Sequence, residues 1–391
     1  MSCGAEAVDL GVLPTPALAL LTRKWEFDTG VMITASHNPP EFNGIKLFNH
    51  DSLGYSPSQE HLIEAIHSER RFRQGGGRSC ENDQDPVKAY LAAIQEKWNR
   101  PGFSSPLKVV VDPGNGAASG FASRVFAELG LNVIPLNDVP DGHFPGRNPE
   151  PKEDTLQGTV AFLRECGADL AACFDGDADR VVFCDEKGFL GFNEGIAYVS
   201  RLAVQKSGRK TVASTVESGR LLELALEDLG AGVVRGKVGD VHVAYLAREN
   251  EAAIGVEQVG VYVFPDAGYY PDSILATLEL LEDLAHPKQI RDFFAGIPRL
   301  FFKKGRVECS NAFKARVMES VLRSAGVLGA DELNDLDGLR LGFGDSWMLI
   351  RASGTEPAIR VLAESKSDPE AAALLNKGVR LVEQVVSEVA R

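Results

Sequence analysis

The residues of this chain that could carry out chemistry are concentrated in four short polar segments. The first is Thr34-Ala35-Ser36-His37-Asn38-Pro39, which follows the apolar run Gly30-Val31-Met32-Ile33. A serine before Asn-Pro is commonly a turn residue that bonds to its own backbone. A serine hydroxyl held in such a turn can also form a covalent ester and so carry a phosphoryl group. This segment alone allows both interpretations, and the other three segments decide between them.

The second segment, Asp175-Gly176-Asp177-Ala178-Asp179-Arg180, carries three carboxylates at alternate positions after an apolar, strand-like run. Hard divalent cations take several oxygen ligands, and a tight turn of alternate aspartates can direct three carboxylates to one point. We therefore predict a Mg²⁺ site formed by Asp175, Asp177 and Asp179.

Two alternatives to this Mg²⁺ site come from the same residues. An EF-hand loop would place Glu186 at position 12, but Arg180 stands at position 6, where that loop needs glycine, and both flanks look like strands. An aspartyl-phosphate phosphatase would use Asp175 as nucleophile and Asp177 as acid. That alternative leaves the first and fourth segments without a role, so the sequence favours the Mg²⁺ site.

The third and fourth segments are suited to binding a polar ligand. Val256-Glu257-Gln258-Val259-Gly260 is a short polar loop between apolar runs. Arg351-Ala352-Ser353-Gly354-Thr355-Glu356-Pro357 combines an arginine, two hydroxyls and a turn centred on glycine. A guanidinium with free backbone N–H groups in a turn is a typical cradle for a phosphate group.

Composition limits the partners and the location of the protein. The chain has 391 residues and a net charge of −14, from 41 basic and 55 acidic residues, so it should repel nucleic acid and anionic membranes. Apolar runs stay well below the roughly 18 residues of a membrane span, and the first residues do not follow a signal-peptide pattern. The six cysteines form no C-x-x-C pair, which indicates free thiols in a reducing cytoplasm.

The order of strand-like and helix-like stretches predicts an α/β protein of several domains. A strand, a Gly/Pro turn and a helix recur from Val8, from Leu107 and from Thr211, which indicates three similar α/β domains with mixed sheets. The remainder alternates strand-like runs with one long helical stretch and indicates an α+β domain. The predicted domains are residues 1–103, 104–206, 207–297 and 298–391.

In this order, the four segments resemble those of the α-D-phosphohexomutase superfamily, which includes phosphoglucomutase, phosphomannomutase and phosphoglucosamine mutase. The resemblance extends along the whole chain. It also includes the linking segments Asn43-Gly44-Ile45-Lys46, Asp112-Pro113-Gly114-Asn115-Gly116, Phe144-Pro145 and Lys237-Val238-Gly239-Asp240. It implies four domains around a central cleft, each contributing one of the four segments.

The resemblance also implies a role for each site residue. Ser36 would be the phosphorylated serine, with an oxygen of its phosphate completing the Mg²⁺ site of the three aspartates. Lys46 would act as a proton donor. The catalytic group would comprise Ser36, His37, Lys46 and Arg180. The substrate-binding group would comprise Lys237, Glu257, Gln258, Arg351, Ser353, Gly354 and Thr355.

The implied activity is that of an isomerase that moves phosphate between C1 and C6 of a hexose phosphate. Phosphoserine would donate to the sugar, and a bisphosphorylated sugar would be intermediate and activator. Mannose and glucose phosphates are the leading substrates, with glucosamine phosphate close behind. The protein would be a monomer or homodimer. A noncatalytic sugar-phosphate-binding protein is the alternative.

This chain departs from the family pattern at two places. Val259 and Val261 stand where a serine and often a histidine occur, which leaves only Glu257 of the usual sugar-reading residues. Family members also begin with a strand and a Gly-rich turn, followed by a strand and an Arg-bearing loop, that would precede Met1. We therefore expect the first domain to be short at its N-terminus, with an open sheet edge and a partly uncovered core.

Overall fold

The structure, a computed structural model, describes residues 3–98, 105–354 and 356–389. These residues form four successive units of sheet and helix. Every helix among them is too short or too polar to cross a lipid bilayer. The three α/β units and the C-terminal α+β unit predicted from the sequence are confirmed.

The first unit contains short strands and three helices. Its elements are β1 (Ala7–Asp9), α1 (Thr15–Lys24), β2 (Thr29–Ile33), β3 (Ile45–Asn49), α2 (Pro57–Ser68), β4 (Ser79–Glu81) and α3 (Pro86–Trp98). β1 pairs in parallel with β4, and β2 pairs antiparallel with β3, so the described strands form two separate two-stranded sheets. In this respect the first unit differs from the second and third, which each contain one continuous mixed sheet.

Apolar side chains of the first unit lie unusually open to solvent. α1 buries its apolar face, yet Val31, Ile33 and Ile45 on β2 and β3 are exposed. No residue of α2 is buried, and its Leu62 and Ile63 are exposed as well. A sheet face normally buries its apolar side chains against another layer. The sheet of β2 and β3 therefore has an uncovered apolar face.

The second unit is built on a mixed five-stranded sheet in the order β6-β5-β7-β8-β9, whose first three strands are parallel. Its elements are β5 (Lys108–Asp112), α4 (Phe121–Glu128), β6 (Asn132–Pro135), α5 (Gln157–Cys166), β7 (Leu170–Phe174), β8 (Val181–Asp185) and β9 (Gly188–Phe189). β7 and β8 are buried along their whole length, which matches their continuous apolar sequence. Because they form an antiparallel hairpin, residues 175–180 are their connecting turn.

The third unit repeats this design with a four-stranded sheet in the order β11-β10-β12-β13. Its elements are α6 (Phe192–Ser207), β10 (Thr211–Thr215), α7 (Leu221–Leu226), β11 (Gly232–Gly236), α8 (Asp240–Glu249), β12 (Ile254–Glu257), β13 (Val261–Val263), α9 (Ser273–Asp283) and α10 (Gln289–Ala295), with a short 3₁₀ turn at Glu227–Leu229. The polar loop at Glu257 is the turn of the β12–β13 hairpin. The loops after β10 and β11 open at the same edge of the sheet, because these strands run parallel to β12.

The fourth unit is an antiparallel five-stranded sheet in the order β14-β18-β17-β16-β15, with helices on one face. Its elements are β14 (Phe301–Glu308), α11 (Lys314–Arg323), β15 (Glu332–Asn334), β16 (Leu339–Phe343), β17 (Ser346–Ala352), β18 (Ala358–Ser365) and α12 (Asp368–Val389), with a 3₁₀ turn at Ala325–Leu328. Met348, Ile350 and Val361 point into the core beneath α12. The alternate residues of the same strands therefore face away from the helices.

The fourth unit has a core of its own, whereas one large apolar cluster runs through the first three units. Between the third and fourth units lies a small apolar cluster that includes Val216 and Trp347. Polar contacts surround this cluster. The buried Glu364 accepts hydrogen bonds from the Trp347 indole (2.7 Å) and from the backbone N–H of Arg220 (2.7 Å). An interface of this small and mixed kind permits one unit to move relative to the other.

Candidate active site

Ser36 lies in a strained turn between β2 and β3, directly opposite the aspartate turn of the second unit. Its φ of 54° is in the left-handed region, and its backbone N–H donates to Thr34 Oγ1 at 2.8 Å. The Ser36 hydroxyl donates to Asp175 Oδ2 at 2.9 Å, and His37 Nδ1 lies 3.3 Å from the same hydroxyl. Strained backbone of this kind is often retained where a side chain must be presented for function.

Two glycines allow the loops of the first and second units to approach so closely. A Cβ on Gly176 would lie 2.3 Å from the carbonyl oxygen of Ser36, and a Cβ on Gly116 would lie 2.4 Å from the carbonyl oxygen of Gly176. Both contacts are with backbone, which cannot move aside cheaply. The glycines of the segments Asp112–Gly116 and Asp175–Arg180 therefore bring Ser36 to the aspartates.

Asp175, Asp177 and Asp179 form one buried cluster of carboxylates. One oxygen of each lies within 4.8 Å of the others, and all three residues are at most 2% exposed. The Oδ1 atoms of Asp177 and Asp179 are buried and have no hydrogen-bond partner among the described residues. Buried carboxylate oxygens without a donor are costly. An all-oxygen donor set with two unpartnered oxygens fits a hard divalent cation such as Mg²⁺.

Lys46 partly compensates for the charge of this cluster. Its ammonium donates to Asp177 Oδ2 at 2.9 Å and to Asp179 Oδ2. Burial opposes ionisation of Asp179, but Lys46 and Arg180 outweigh it and hold the pKa of that carboxyl below its usual range. Burial raises the pKa of Asp175 well above its usual range, and the neighbouring carboxylates add to this shift. The cluster thus has more negative charge than its cations neutralise.

Arg180 and His37 complete the surroundings of the serine hydroxyl. The Arg180 Nε lies 3.8 Å from carboxylate oxygens of both Asp175 and Asp179, and it is buried without a hydrogen-bond partner in the described chain. Burial lowers the pKa of His37, and the charge of Arg180 lowers it further. An unpartnered guanidinium nitrogen and an uncharged imidazole at Ser36 provide hydrogen-bond donors for a phosphoryl group there.

Thr15 belongs to this site, although no role was predicted for it. Its hydroxyl donates to Asp177 Oδ2 at 2.7 Å, and its backbone N–H donates to the carbonyl oxygen of Asp177 at 2.9 Å. Thr15 is buried at the first position of α1. The only sequence signal was the Pro14-Thr15-Pro16 turn, which indicates the start of a helix but not its contact with a residue 162 positions away.

The hairpin turn after β12 places Glu257 toward the loops that follow β10 and β11. Its carboxylate accepts a hydrogen bond from the Gly239 N–H at 2.7 Å. Burial raises the pKa of Glu257 to about 7, with a further contribution from Asp240, which was given no firm role. Gln258 is also buried, whereas Lys237 is exposed and its ammonium forms no ion pair within the described part of the chain.

Arg351 lies at the end of β17, across the interface from the third unit. Its Nε and Nη2 donate to Glu217 Oε1 at 3.0 and 2.7 Å, and its Nη1 lies 3.7 Å from Asp337 Oδ2. Neither Glu217 nor Asp337 was predicted as a site residue. Glu217 follows β10, and the packing of the third unit against the fourth brings it to the arginine, whereas Asp337 precedes β16, which pairs with β17 in the same sheet as Arg351.

The loop after Arg351 is held by a lysine from α11. Lys314 donates to the carbonyl oxygen of Ser353 at 2.6 Å and to that of Glu356. Ser353 is buried, and its hydroxyl accepts from the Glu356 N–H at 3.2 Å. Gly354 is exposed, as a residue must be if its N–H is to meet a ligand. Thr355, the last member of the predicted group, lies outside the described residues.

Further cations surround Arg351 because of strand register. Arg306, Arg360 and Arg351 lie directly opposite one another on β14, β18 and β17, so their side chains leave the same face of the sheet. Lys304 lies on β14, two residues before Arg306, and its side chain leaves the same face of the sheet. This face is opposite the one covered by α11 and α12, so the row of cations faces the cleft.

The predicted site residues thus divide into three groups in space. The structure brings Ser36, His37, Lys46 and Arg180 to the three aspartates, and places the Glu257 turn and the Arg351 loop at the cleft sides of the third and fourth units. The EF-hand alternative is excluded, because strands β7 and β8 flank the aspartate turn where that motif has helices.

Comparison with known families supports the fold and the activity. Four models of the phosphoglucomutase/phosphomannomutase family match in order: domain I at residues 1–74, domain II at 88–188, domain III at 194–300 and the C-terminal domain at 306–380. The first three are described as alpha/beta/alpha domains. The matches together span most of the chain and contain all four polar segments.

Individual relatives agree with this result. The chain is 38% identical over 393 residues to a probable phosphoglucosamine mutase of Methanopyrus kandleri, covering 99% of this chain and 86% of that protein. It is 35% identical to a phosphoglucomutase/phosphomannomutase of Thermococcus kodakarensis, covering 99% and 85%. A crystal structure of a phosphoglucomutase/phosphomannomutase family protein from Burkholderia thailandensis superposes with a TM-score of 0.85 at 26% identity, covering 98% of this chain and 84% of that one.

These relatives support an enzyme and not the noncatalytic alternative. The chain therefore belongs to the phosphoglucomutase/phosphomannomutase family of hexose-phosphate mutases, the α-D-phosphohexomutases.

Proposed function

We propose that this enzyme transfers phosphate between C1 and C6 of a hexose phosphate through a phosphoserine at Ser36. The observation that carries the proposal is the Ser36 hydroxyl, 2.9 Å from Asp175 in a cluster of three buried carboxylates. A carboxylate cluster of this kind needs a cation, and a phosphorylated serine beside it would supply one more oxygen ligand. The alternative of an aspartyl-phosphate intermediate gives Ser36 no role.

The transfer step exchanges one phosphate ester for another. The sugar hydroxyl forms a bond to phosphorus while the bond from phosphorus to Ser36 Oγ breaks. The proton lost by the sugar hydroxyl restores the group that donates a proton to Ser36 Oγ, so no net proton is released. We assign Lys46 to donate this proton, because its ammonium is held against the same cluster by Asp177 and Asp179. Arg180 and His37 would hold the phosphoryl oxygens in line.

The cofactor of this step is inferred from the ligands present. Asp175, Asp177 and Asp179, with an oxygen of phosphorylated Ser36, would hold Mg²⁺, which supplies positive charge opposite the transferring phosphoryl group. The protein's own contribution is to fix these oxygens. Thr15 fixes Asp177, and the close approach of Gly176 fixes the serine turn.

The reaction also requires a second phosphate site. A bisphosphorylated sugar must turn between its two transfers, so the phosphate that does not react has to be held away from Ser36. We assign this clamp to Arg351 with Ser353, Gly354 and Thr355. A guanidinium can bind two phosphate oxygens at once, and the loop adds backbone and hydroxyl donors. Because the clamp lies on a unit with its own core, phosphate binding there could close the cleft and exclude water.

The charges near Glu257 favour glucosamine phosphate among the candidate sugars. Asp240 and Glu217 both interact electrostatically with the buried Glu257 carboxyl and raise its pKa, and Arg180 opposes them in part. An excess of carboxylates attracts an amino sugar, whose C2 carries an ammonium where glucose and mannose carry a hydroxyl. The relative from Methanopyrus kandleri is itself named a probable phosphoglucosamine mutase.

We further propose that the enzyme works in a reducing cytoplasm. All six cysteines are free, and three of them are buried. Whether it acts as a monomer or as a homodimer stays a prediction, as do the domain boundaries and the absence of nucleic-acid and membrane partners.

The first prediction concerns the phosphoserine. Ser36→Ala should lower mutase turnover by at least about a thousandfold, because it removes the covalent carrier and not only one hydrogen bond. Incubation with glucose 1,6-bisphosphate, followed by intact-mass and peptide analysis, should locate one phosphoryl group on Ser36 in the parent. Ser68→Ala, at an exposed serine that ends α2, is the matched control. Equal turnover in Ser36→Ala and the parent would refute the assignment.

The second prediction concerns the clamp. Arg351→Lys keeps the positive charge but loses the planar guanidinium that can donate to two phosphate oxygens at once. KM for the hexose phosphate should therefore rise roughly tenfold or more. Labelling of Ser36 by a small donor such as acetyl phosphate should be nearly unchanged, because that donor has no second phosphate to hold. Arg323→Lys, at an exposed arginine on α11, is the control. If Arg351→Lys loses labelling as severely as turnover, Arg351 acts at the transfer site.

The third prediction concerns the sugar. The parent should use glucosamine 6-phosphate with a kcat/KM about five- to tenfold above that for glucose 6-phosphate, as expected for one partly screened charge pair. At about pH 8, above the Glu257 pKa of about 7, Glu257→Gln keeps the shape of the turn and removes a negative charge, so it should reduce this ratio toward one. A parent that prefers glucose or mannose 6-phosphate would contradict the electrostatic argument.

A further inference from the structure

The guanidinium of Arg351 is already occupied by a protein carboxylate. Glu217 Oε1 accepts from both Nε and Nη2, which is the edge of the fork that would pair with two phosphate oxygens. The two side chains are only 13% and 12% exposed, so water screens this ion pair weakly. A ligand phosphate cannot use the same edge of Arg351 while Glu217 remains there.

The two carboxylates that contact Arg351 also oppose the binding of a phosphate to its guanidinium. The single positive charge of Arg351 is flanked by two carboxylates, because Asp337 Oδ2 lies 3.7 Å from Nη1. Asp337 is fixed in place by the Val238 N–H, which donates to it at 2.9 Å. At the guanidinium itself, a dianionic phosphate would meet two carboxylates beside one positive charge, so it can bind there only if a carboxylate moves away.

We infer that Glu217 occupies the position of the substrate phosphate in the free enzyme and leaves Arg351 when that phosphate binds. The inference rests on the proposed role of Arg351 as the clamp. It assigns to Glu217 the function of an internal competitor, which orients the arginine before binding and sets how tightly the clamp holds.

Lys304 is the cation that can take over the displaced carboxylate. It leaves the same face of the sheet as Arg351, from β14, two residues before Arg306, with β18 between the two strands. Burial lowers the pKa of Lys304, and the negative charge of Glu217 opposes that shift. The two side chains therefore interact electrostatically. Lys304 takes part in no ion pair within the described ranges, although its ammonium lies 5.4 Å from the centre of the Phe302 ring.

An internal competitor suits a reaction whose intermediate must turn. The clamp has to release one phosphate of the bisphosphorylated sugar and then hold the other, without losing the sugar to solvent. An arginine with no carboxylate partner in this cleft would bind phosphate more tightly. Such a clamp would slow the exchange of one phosphate for the other. Glu217 replaces the departing phosphate, so Arg351 is never left as a buried charge without a partner.

The experiment measures the binding of inorganic phosphate to the full chain by titration calorimetry. Glu217→Gln keeps an oxygen that can accept from Nε and Nη2 but removes the negative charge. It should bind phosphate about three- to tenfold more tightly than the parent, with a higher association rate constant. Asp345→Asn is the matched control, because Asp345 also joins the third and fourth units through an arginine, Arg220, away from the clamp. It should bind phosphate like the parent.

The outcomes separate this inference from the proposed function. A variant that only lost a structural contact would bind more weakly, so tighter binding by Glu217→Gln supports the inference. Unchanged or weaker binding by Glu217→Gln, together with weaker binding by Arg351→Lys, overturns the role of Glu217 and leaves the clamp intact. If Arg351→Lys binds phosphate as tightly as the parent does, the clamp assignment and the inference both fail.

Discussion

Three carboxylates confined to one buried turn are the constraint on which the rest of this structure depends. Asp175, Asp177 and Asp179 are withdrawn from water within a few ångströms of one another, and charges in such a place are costly unless they are compensated. Lys46 and Thr15 reach them from the first unit and supply part of that compensation. The remaining unpartnered oxygens fit the divalent cation proposed for this site, and the contacts of Lys46 and Thr15 hold the first unit against the second.

The positive charge that a sugar phosphate requires is placed elsewhere, on the fourth unit. Strand register sets Arg306, Arg360 and Arg351 in one row on the face away from the helices. This unit has a separate core and meets the third unit through a small interface, which allows the row to approach or leave the aspartate cluster. A chain with a net charge of −14 therefore has a row of cations on a unit separate from its aspartate cluster, as the proposed two-site reaction requires.

The local parts of this architecture could be predicted from the sequence, because their signals are contiguous. The apolar run before Asp175 and the alternate aspartates predicted a strand, a turn and a metal site, and the structure has β7 and the carboxylate cluster there. Thr15 and Glu217 were not predicted, because each meets its partner only through packing between distant segments, and Asp337 was not predicted because its contact depends on strand register. The separation of the first unit into two small sheets follows from pairing between strands, which no single segment encodes.

The central claim is that the three aspartates form a divalent-cation site beside Ser36, and diffraction can test it most directly. Crystals of the protein soaked in Mn²⁺, which substitutes for Mg²⁺ at oxygen sites and scatters anomalously, would locate the ion. The account predicts one strong anomalous peak bonded to an oxygen of each of Asp175, Asp177 and Asp179, on the side that Ser36 Oγ faces. The absence of a peak there at saturating Mn²⁺, with Lys46 still bound to the carboxylates, would contradict it.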